Sequence, residues 1–183
     1  MKQGGADLGA QIVEIEVPSP LEVIADWFPL CGVECAVAHE ATYPARKSEY
    51  GPALADLIET GMKVTGLIYQ KIQLRRLAYK GRLEAMFQRV DLLLTPVGGT
   101  ADTTAARMLR FGEEPELISS MLRYTCPFDM SGSPTITMPA GFNAAGAPMA
   151  IQLVGRHFDE QLLVQVGDAY QQATAWHKAH PVL

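Results

Sequence analysis

The sequence predicts an α/β or α+β protein in which helices cover a β-sheet. Three patterns indicate this class: segments that alternate apolar and polar residues, a long stretch with apolar residues at helical spacing, and short apolar runs bounded by proline or glycine. With 48% hydrophobic and 19% charged residues, the 183-residue chain has the composition of a folded protein. Its length fits one domain over residues 1–183, or part of a larger domain.

A strand and a helix are predicted first. Residues 11–17 alternate apolar and polar side chains, as in a strand with one side in water. A helix follows, with Ser19 as its cap, Pro20 at the first helical position and Glu22 completing a capping box. Pro29 is expected to kink or restart this helix, which then continues to about residue 41.

The sequence pattern in the middle of the chain predicts a polar connection, a long helix and a buried strand. Residues 43–52 have the composition of a polar connection. The helical pattern resumes at residue 53, is interrupted near Gly61 and continues to about Arg89 as a long amphipathic helix. Residues 91–96 are typical of a short, fully buried strand that ends at Pro96.

The last third predicts a hairpin between two helices. After a loop at residues 97–104, residues 116–123 form a short helix. Residues 134–139 and 148–155 are two strands, joined by a turn-forming loop that is typical of a hairpin. A final helix begins at 159–160, where acidic residues suit a helix N-terminus, and ends before Pro181.

Charge and hydropathy exclude two classes of partner. A net charge of −5 and a pI of about 5.3 are unlike a general nucleic-acid binder or a protein that binds anionic membranes. The basic run between Lys71 and Arg82 is interpreted as a solvated helix face. No stretch approaches the roughly 20 apolar residues of a membrane span, and residues 1–7 lack the apolar core of a signal peptide. We therefore expect a cytoplasmic protein whose three cysteines are reduced.

The common self-sufficient catalytic motifs are absent. The sequence has no Walker loop, GxGxxG, HExxH or GxSxG, and its histidines are too scattered to predict a metal site. Ser131 and Ser133 flank Gly132, but Pro134 removes an N–H that the oxyanion hole of an elbow-type nucleophile uses. A turn before a buried strand is therefore the favoured interpretation of this segment.

Several blocks, in order along essentially the whole chain, resemble the amidase signature family. They are residues 9–18 (GAQIVEIEVP), 91–96 (DLLLTP), 124–134 (YTCPFDMSGSP), 137–142 (TMPAGF), 146–155 (GAPMAIQLVG) and 158–160 (FDE). The resemblance implies an α/β fold with helices packed on a mixed β-sheet, of which this chain would be the C-terminal part.

The same resemblance implies hydrolysis of carboxamides to a carboxylate and ammonia or an amine, without a metal or organic cofactor. In the family a serine attacks the carbonyl, a second serine bridges to a lysine that moves the protons, and backbone N–H groups stabilise the oxyanion. These three residues lie upstream of the region matched here. No catalytic residue is therefore assigned to this chain.

Four residues are implied to bind substrate, since they occupy the stretch that approaches the acyl pocket in the family: Tyr124, Thr125, Phe128 and Asp129. Asp129 departs from the family pattern, which usually has asparagine there. An ionised aspartate only accepts hydrogen bonds, whereas asparagine also donates them.

Two functions are expected to compete. In the first, the chain is the C-terminal portion of an amide hydrolase, is inactive alone and has the N-terminal catalytic portion as its partner. In the second, it is a non-catalytic binding or assembly module derived from the amidase fold. An exposed sheet edge would then hold a partner or form a homodimer.

Overall fold

The N-terminal half of the described chain is helical. The computed structural model describes residues 8–99, 103–110 and 113–180. Its first helices are α1 (Leu21–Ala38), α2 (Tyr43–Arg46), α3 (Pro52–Met62) and α4 (Gly66–Met86), with a 3-10 turn at Lys47–Glu49. Both α3 and α4 pack against α1. The predicted interruption near Gly61 is confirmed, because α3 and α4 are separate helices.

The predicted strand at residues 11–17 is wrong for this structure. These residues are irregular, and the side chains of Ile12, Val13 and Val17 are exposed. Ile15 alone among the apolar residues of this segment packs against the main core. A strand requires a hydrogen-bonding neighbour, and no strand of the described ranges pairs with this segment. The alternating pattern is therefore present without the partner that would make it a strand.

Helix α1 begins differently from the prediction and continues past Pro29 as one helix. Its N-terminal cap is Pro20, and no side chain makes a capping hydrogen bond, so the predicted capping box at Ser19 is wrong. The helix also runs through Pro29 without restarting. Pro29 removes one backbone hydrogen bond from the helix. Val23 before it and Leu30 after it are both buried in the same core cluster, and this packing stabilises the helix on both sides of the proline.

A contact between two glycines sets the spacing of α1 and α3. A Cβ atom built on Gly61 would overlap the backbone carbonyl of Gly32, and one built on Gly32 would lie 2.8 Å from the Gly61 nitrogen. Both glycines are buried. The two helix backbones therefore touch at a point where no side chain fits.

The C-terminal half contains a three-stranded sheet. It comprises α5 (Ala105–Met108), α6 (Pro115–Leu122), α7 (Cys126–Ser131) and α8 (Glu160–Ala173), a 3-10 turn at Trp176–Lys178, and strands β1 (Leu92–Pro96), β2 (Thr135–Phe142) and β3 (Pro148–Gly155). The strand order is β1-β3-β2, and both pairings are antiparallel. The α/β class and the β2–β3 hairpin are confirmed.

The two faces of the sheet contact different cores. Leu93 and Val154 face the helical layer of α1, α4 and α7. Ile151 and Leu153 face α8, where Leu163 packs on them. Because α8 contacts β2 and β3 rather than β1, Leu94 remains 40% exposed, so the prediction that β1 is fully buried is wrong.

Helix α4 is less amphipathic than predicted. Ile72, Tyr79, Leu83 and Met86 are buried against the core, as the spacing requires. Leucines also lie on the opposite, solvent-facing side of the helix. Within the described ranges, no helix combines the length and the apolar character needed to cross a membrane.

The glycine contact yields a stability prediction. Gly61→Ala should lower the free energy of unfolding by about 3 kcal/mol, because the added methyl group forces α1 and α3 apart. Gly81→Ala is the matched control in the interior of α4, where an added Cβ meets nothing within 4 Å. Gly81→Ala should raise the free energy of unfolding by about 0.5–1 kcal/mol, because alanine has a higher helix propensity than glycine. Urea unfolding measures both, and equal stability of the two variants would contradict the account.

Candidate substrate-pocket wall

Tyr124 and Thr125 lie in the turn that joins α6 to α7. The Thr125 carbonyl accepts hydrogen bonds from the N–H groups of Phe128 and Asp129, at 3.0 and 3.2 Å. The Thr125 hydroxyl donates back to the Met121 carbonyl at 3.5 Å. The carbonyl and the hydroxyl of Thr125 therefore both stabilise the turn.

Gln152 connects this turn to the sheet. Its side chain is only 4% exposed, on the central strand β3. Its Nε2 atom donates to the Tyr124 carbonyl at 2.8 Å and to the Thr95 hydroxyl on β1 at 3.3 Å. The buried amide of Gln152 thus fixes the turn at Tyr124 and Thr125 relative to strands β1 and β3. Gln152 is a polar residue in the middle of an otherwise apolar strand, and this pattern is the signal that could have identified its structural role from the sequence.

Phe128 and Asp129 are adjacent in α7 but face different surroundings. The Phe128 ring is buried in the main core beside Cys126 and Met130. The Asp129 side chain is exposed at a cleft of about 420 Å³. The cleft is lined by Trp27, Leu30, Cys31, Glu34, Arg76, Asp129 and Met130. Of the four predicted substrate-binding residues, the structure brings only Asp129 to this cleft.

Burial at and near the cleft raises the pKa values of three acidic groups. Partial desolvation raises the pKa of Asp129 above its usual range. Burial raises the pKa of the Cys31 thiol to about 11, and the nearby carboxylates of Glu34 and Asp129 add to the effect. Burial likewise raises the pKa of Cys126 to about 12. All three cysteines are free, and these two are protonated thiols at neutral pH rather than nucleophiles.

Two adjacent arginines of α4 bind its two neighbouring helices, and Arg76 also lines the cleft. Arg75 donates from Nε and Nη2 to the carboxylate of Asp26 on α1, at 2.7 and 2.6 Å. Arg76 donates from Nε to the Met130 carbonyl on α7 at 2.7 Å. The interpretation of this basic run as a solvated face is therefore wrong for both residues, because their guanidinium groups join α4 to its two neighbours.

Ser131 and Ser133 form a helix end rather than a nucleophilic centre. The Ser131 hydroxyl donates to the Phe128 carbonyl at 3.1 Å and lies 2.8 Å from the Ser133 hydroxyl. Gly132 has a φ of +73°, the left-handed conformation in which a helix commonly ends. The predicted turn before β2 is confirmed, but the strand that follows it is only partly buried. Both hydroxyls are engaged within this turn.

The described ranges hold no group of three histidine, cysteine, aspartate or glutamate side chains placed to bind a metal ion.

A second cleft, of about 390 Å³, lies on the other side of Arg76 and Met130 from the first. It is lined by Arg76, Leu77, Lys80, Met130, Ser131, Gly132 and His157. The two clefts therefore share a wall formed by one arginine and the end of α7.

The Gln152 contacts predict a stability cost. Gln152→Leu should lower the free energy of unfolding by about 1–3 kcal/mol, because it leaves the buried side of the Tyr124 carbonyl without its donor. Gln172→Leu, at an exposed glutamine of α8, is the control and should change stability by less than about 0.5 kcal/mol. Urea midpoints measure both changes. A Gln152 variant as stable as the Gln172 variant would exclude this role.

The raised pKa of Asp129 predicts a pH dependence. The folded chain binds this proton more tightly than the unfolded chain, so stability falls as the pH rises from the usual aspartate range through the raised pKa. Asp129→Asn removes this cost and should be more stable than the parent above that window but not below it. Urea midpoints between about pH 3 and pH 7 test this. A constant difference at every pH would contradict it.

Comparison with known proteins places this geometry in a family. The amidase family model matches residues 6–164. A putative amidase, AmiD, of Mycobacterium tuberculosis H37Rv is 44% identical over 149 residues, which cover 81% of this chain and 31% of AmiD. An amidase of Pseudomonas putida is 33% identical over 186 residues, covering 97% of this chain and 38% of the relative.

A solved structure agrees in fold. The structure of 6-aminohexanoate cyclic dimer hydrolase superposes with a TM-score of 0.80 at 22% identity, over 98% of this chain and 41% of that chain. The chain therefore spans about a third to two fifths of the length of these proteins. The extent of the family match and the identity to both amidases show that the chain belongs to the amidase family, the amidase signature enzymes.

Proposed function

We propose that this chain acts as the C-terminal portion of an amide hydrolase, which converts a carboxamide to a carboxylate and ammonia or an amine. The observation that carries the proposal is the family match over residues 6–164, combined with coverage of only 31% of AmiD. The nucleophilic serine, the bridging serine and the lysine belong to the N-terminal portion, which is the partner of residues 1–183 within one larger domain.

The chain contributes scaffold and part of the acyl-pocket wall. Asp129 faces the cleft beside Arg76 and is the residue best placed to contact a small amide substrate. Tyr124 and Thr125 shape the turn that carries α7, and Phe128 anchors α7 in the core. Hydrolysis by the serine–lysine chemistry of the family uses no metal or organic cofactor, and the protein acts in the cytoplasm.

A joined polypeptide tests this proposal. It consists of the part of AmiD that precedes its aligned stretch, followed by this 183-residue chain. We expect the joined polypeptide to hydrolyse a small aliphatic or aryl amide about 10³-fold or more faster than the 183-residue chain, which lacks the nucleophile and its base. Ammonia or amine release under matched conditions is the measurement.

Two variants test the alternative that a catalytic centre lies within this chain. Ser131→Ala and Ser133→Ala should leave the activity of the joined polypeptide within a few-fold of the parent, because both hydroxyls serve the end of α7. Hydrolysis by the isolated chain that disappears in either variant would overturn the proposal. So would a folded joined polypeptide without activity.

A further inference from the structure

Helix α4 has an apolar outer face. Leu67, Leu74, Leu77, Ala78 and Gly81 lie along one side of the helix, opposite the residues that face the core. All five are exposed, and the three leucines are 68, 57 and 66% exposed. Gln70 lies between Leu67 and Leu74 on this side, which is therefore mainly apolar. Apolar residues on two opposite sides are typical of a helix buried on both.

Three cations of α4 are engaged away from the centre of this outer face, while Lys71 and Glu84 lie along its two borders. Arg75 and Arg76 turn to Asp26 and to the Met130 carbonyl. Lys80 lies 3.9 Å from Glu84, one turn along the helix. Depletion of charge at the centre of an apolar surface is characteristic of a permanent interface rather than of a transient one. Ala78 and Gly81 leave room for another backbone to approach closely.

We propose that the outer face of α4 packs against the N-terminal portion of the same amidase. This inference rests on the proposed function and names the surface through which the two portions join. The relatives are more than twice as long as the stretch matched here, so a large portion of their fold must contact this one. The outer edge of β1 also carries no strand within the described ranges. A portion of that size is large enough to cover both surfaces.

The experiment compares the same substitutions in two settings. Leu74→Glu and Leu77→Glu, singly and together, are placed in the isolated chain and in the joined polypeptide. Glutamate is as good a helix former as leucine, so the helix itself is preserved. Leu109→Glu is the matched control, at a leucine of the α5 region that is 89% exposed. Thermal unfolding and sedimentation are measured for every protein.

In the isolated chain, we expect all variants to unfold within about 1–2 °C of the parent, because these side chains lie in water. In the joined polypeptide, the double variant should unfold about 5 °C or more below the parent, since two carboxylates enter an apolar contact, while Leu109→Glu stays near the parent. A double variant that leaves the joined polypeptide unchanged overturns this inference, even if amide hydrolysis supports the proposed function. An isolated chain that sediments as a dimer, and as a monomer after the double substitution, identifies a second copy as the occupant and also overturns it.

Discussion

The fold depends on two neighbouring arginines that bind in opposite directions. Arg75 holds α1 through the carboxylate of Asp26, which is only 7% exposed, and Arg76 holds the end of α7 through the Met130 carbonyl. A buried carboxylate left without its partner is strongly destabilising. This pair of contacts therefore fixes the helical layer on which the sheet lies, and Arg76 with Met130 also forms the wall between the two clefts.

We propose that the described residues form one wall of a substrate pocket and that the reaction centre belongs to the N-terminal portion. The chain supplies a cleft with a carboxyl group of raised pKa, a rigid turn fixed by Gln152, and thiols that stay protonated. The hydroxyls of Ser131 and Ser133 form hydrogen bonds at the end of α7. On the surface, α4 exposes leucines to water, and residues 11–17 have the alternating pattern of a strand but pair with no strand in the part of the chain that the structure describes.

Sequence patterns predicted the elements that local rules govern. The break between α3 and α4, the helix α6, the β2–β3 hairpin and the start of α8 follow from glycine, proline and periodicity. The errors arose where distant contacts decide the outcome. Pro29 is tolerated within α1 because packing holds both sides, and the role of Arg75 depends on an aspartate 49 positions away. Residue type favours a buried Phe128 and an exposed Asp129, but no local signal shows that Asp129 lies at a cleft between α1, α4 and α7.

The most direct test of the central claim is to follow amidase activity and intact mass together while the native protein is purified from its source cells. The account predicts that activity travels with a species heavier than the 19.9 kDa of this sequence, and that this species contains the chain together with a serine–lysine catalytic portion. Amide hydrolysis in fractions where a 19.9 kDa chain is the sole protein would contradict it.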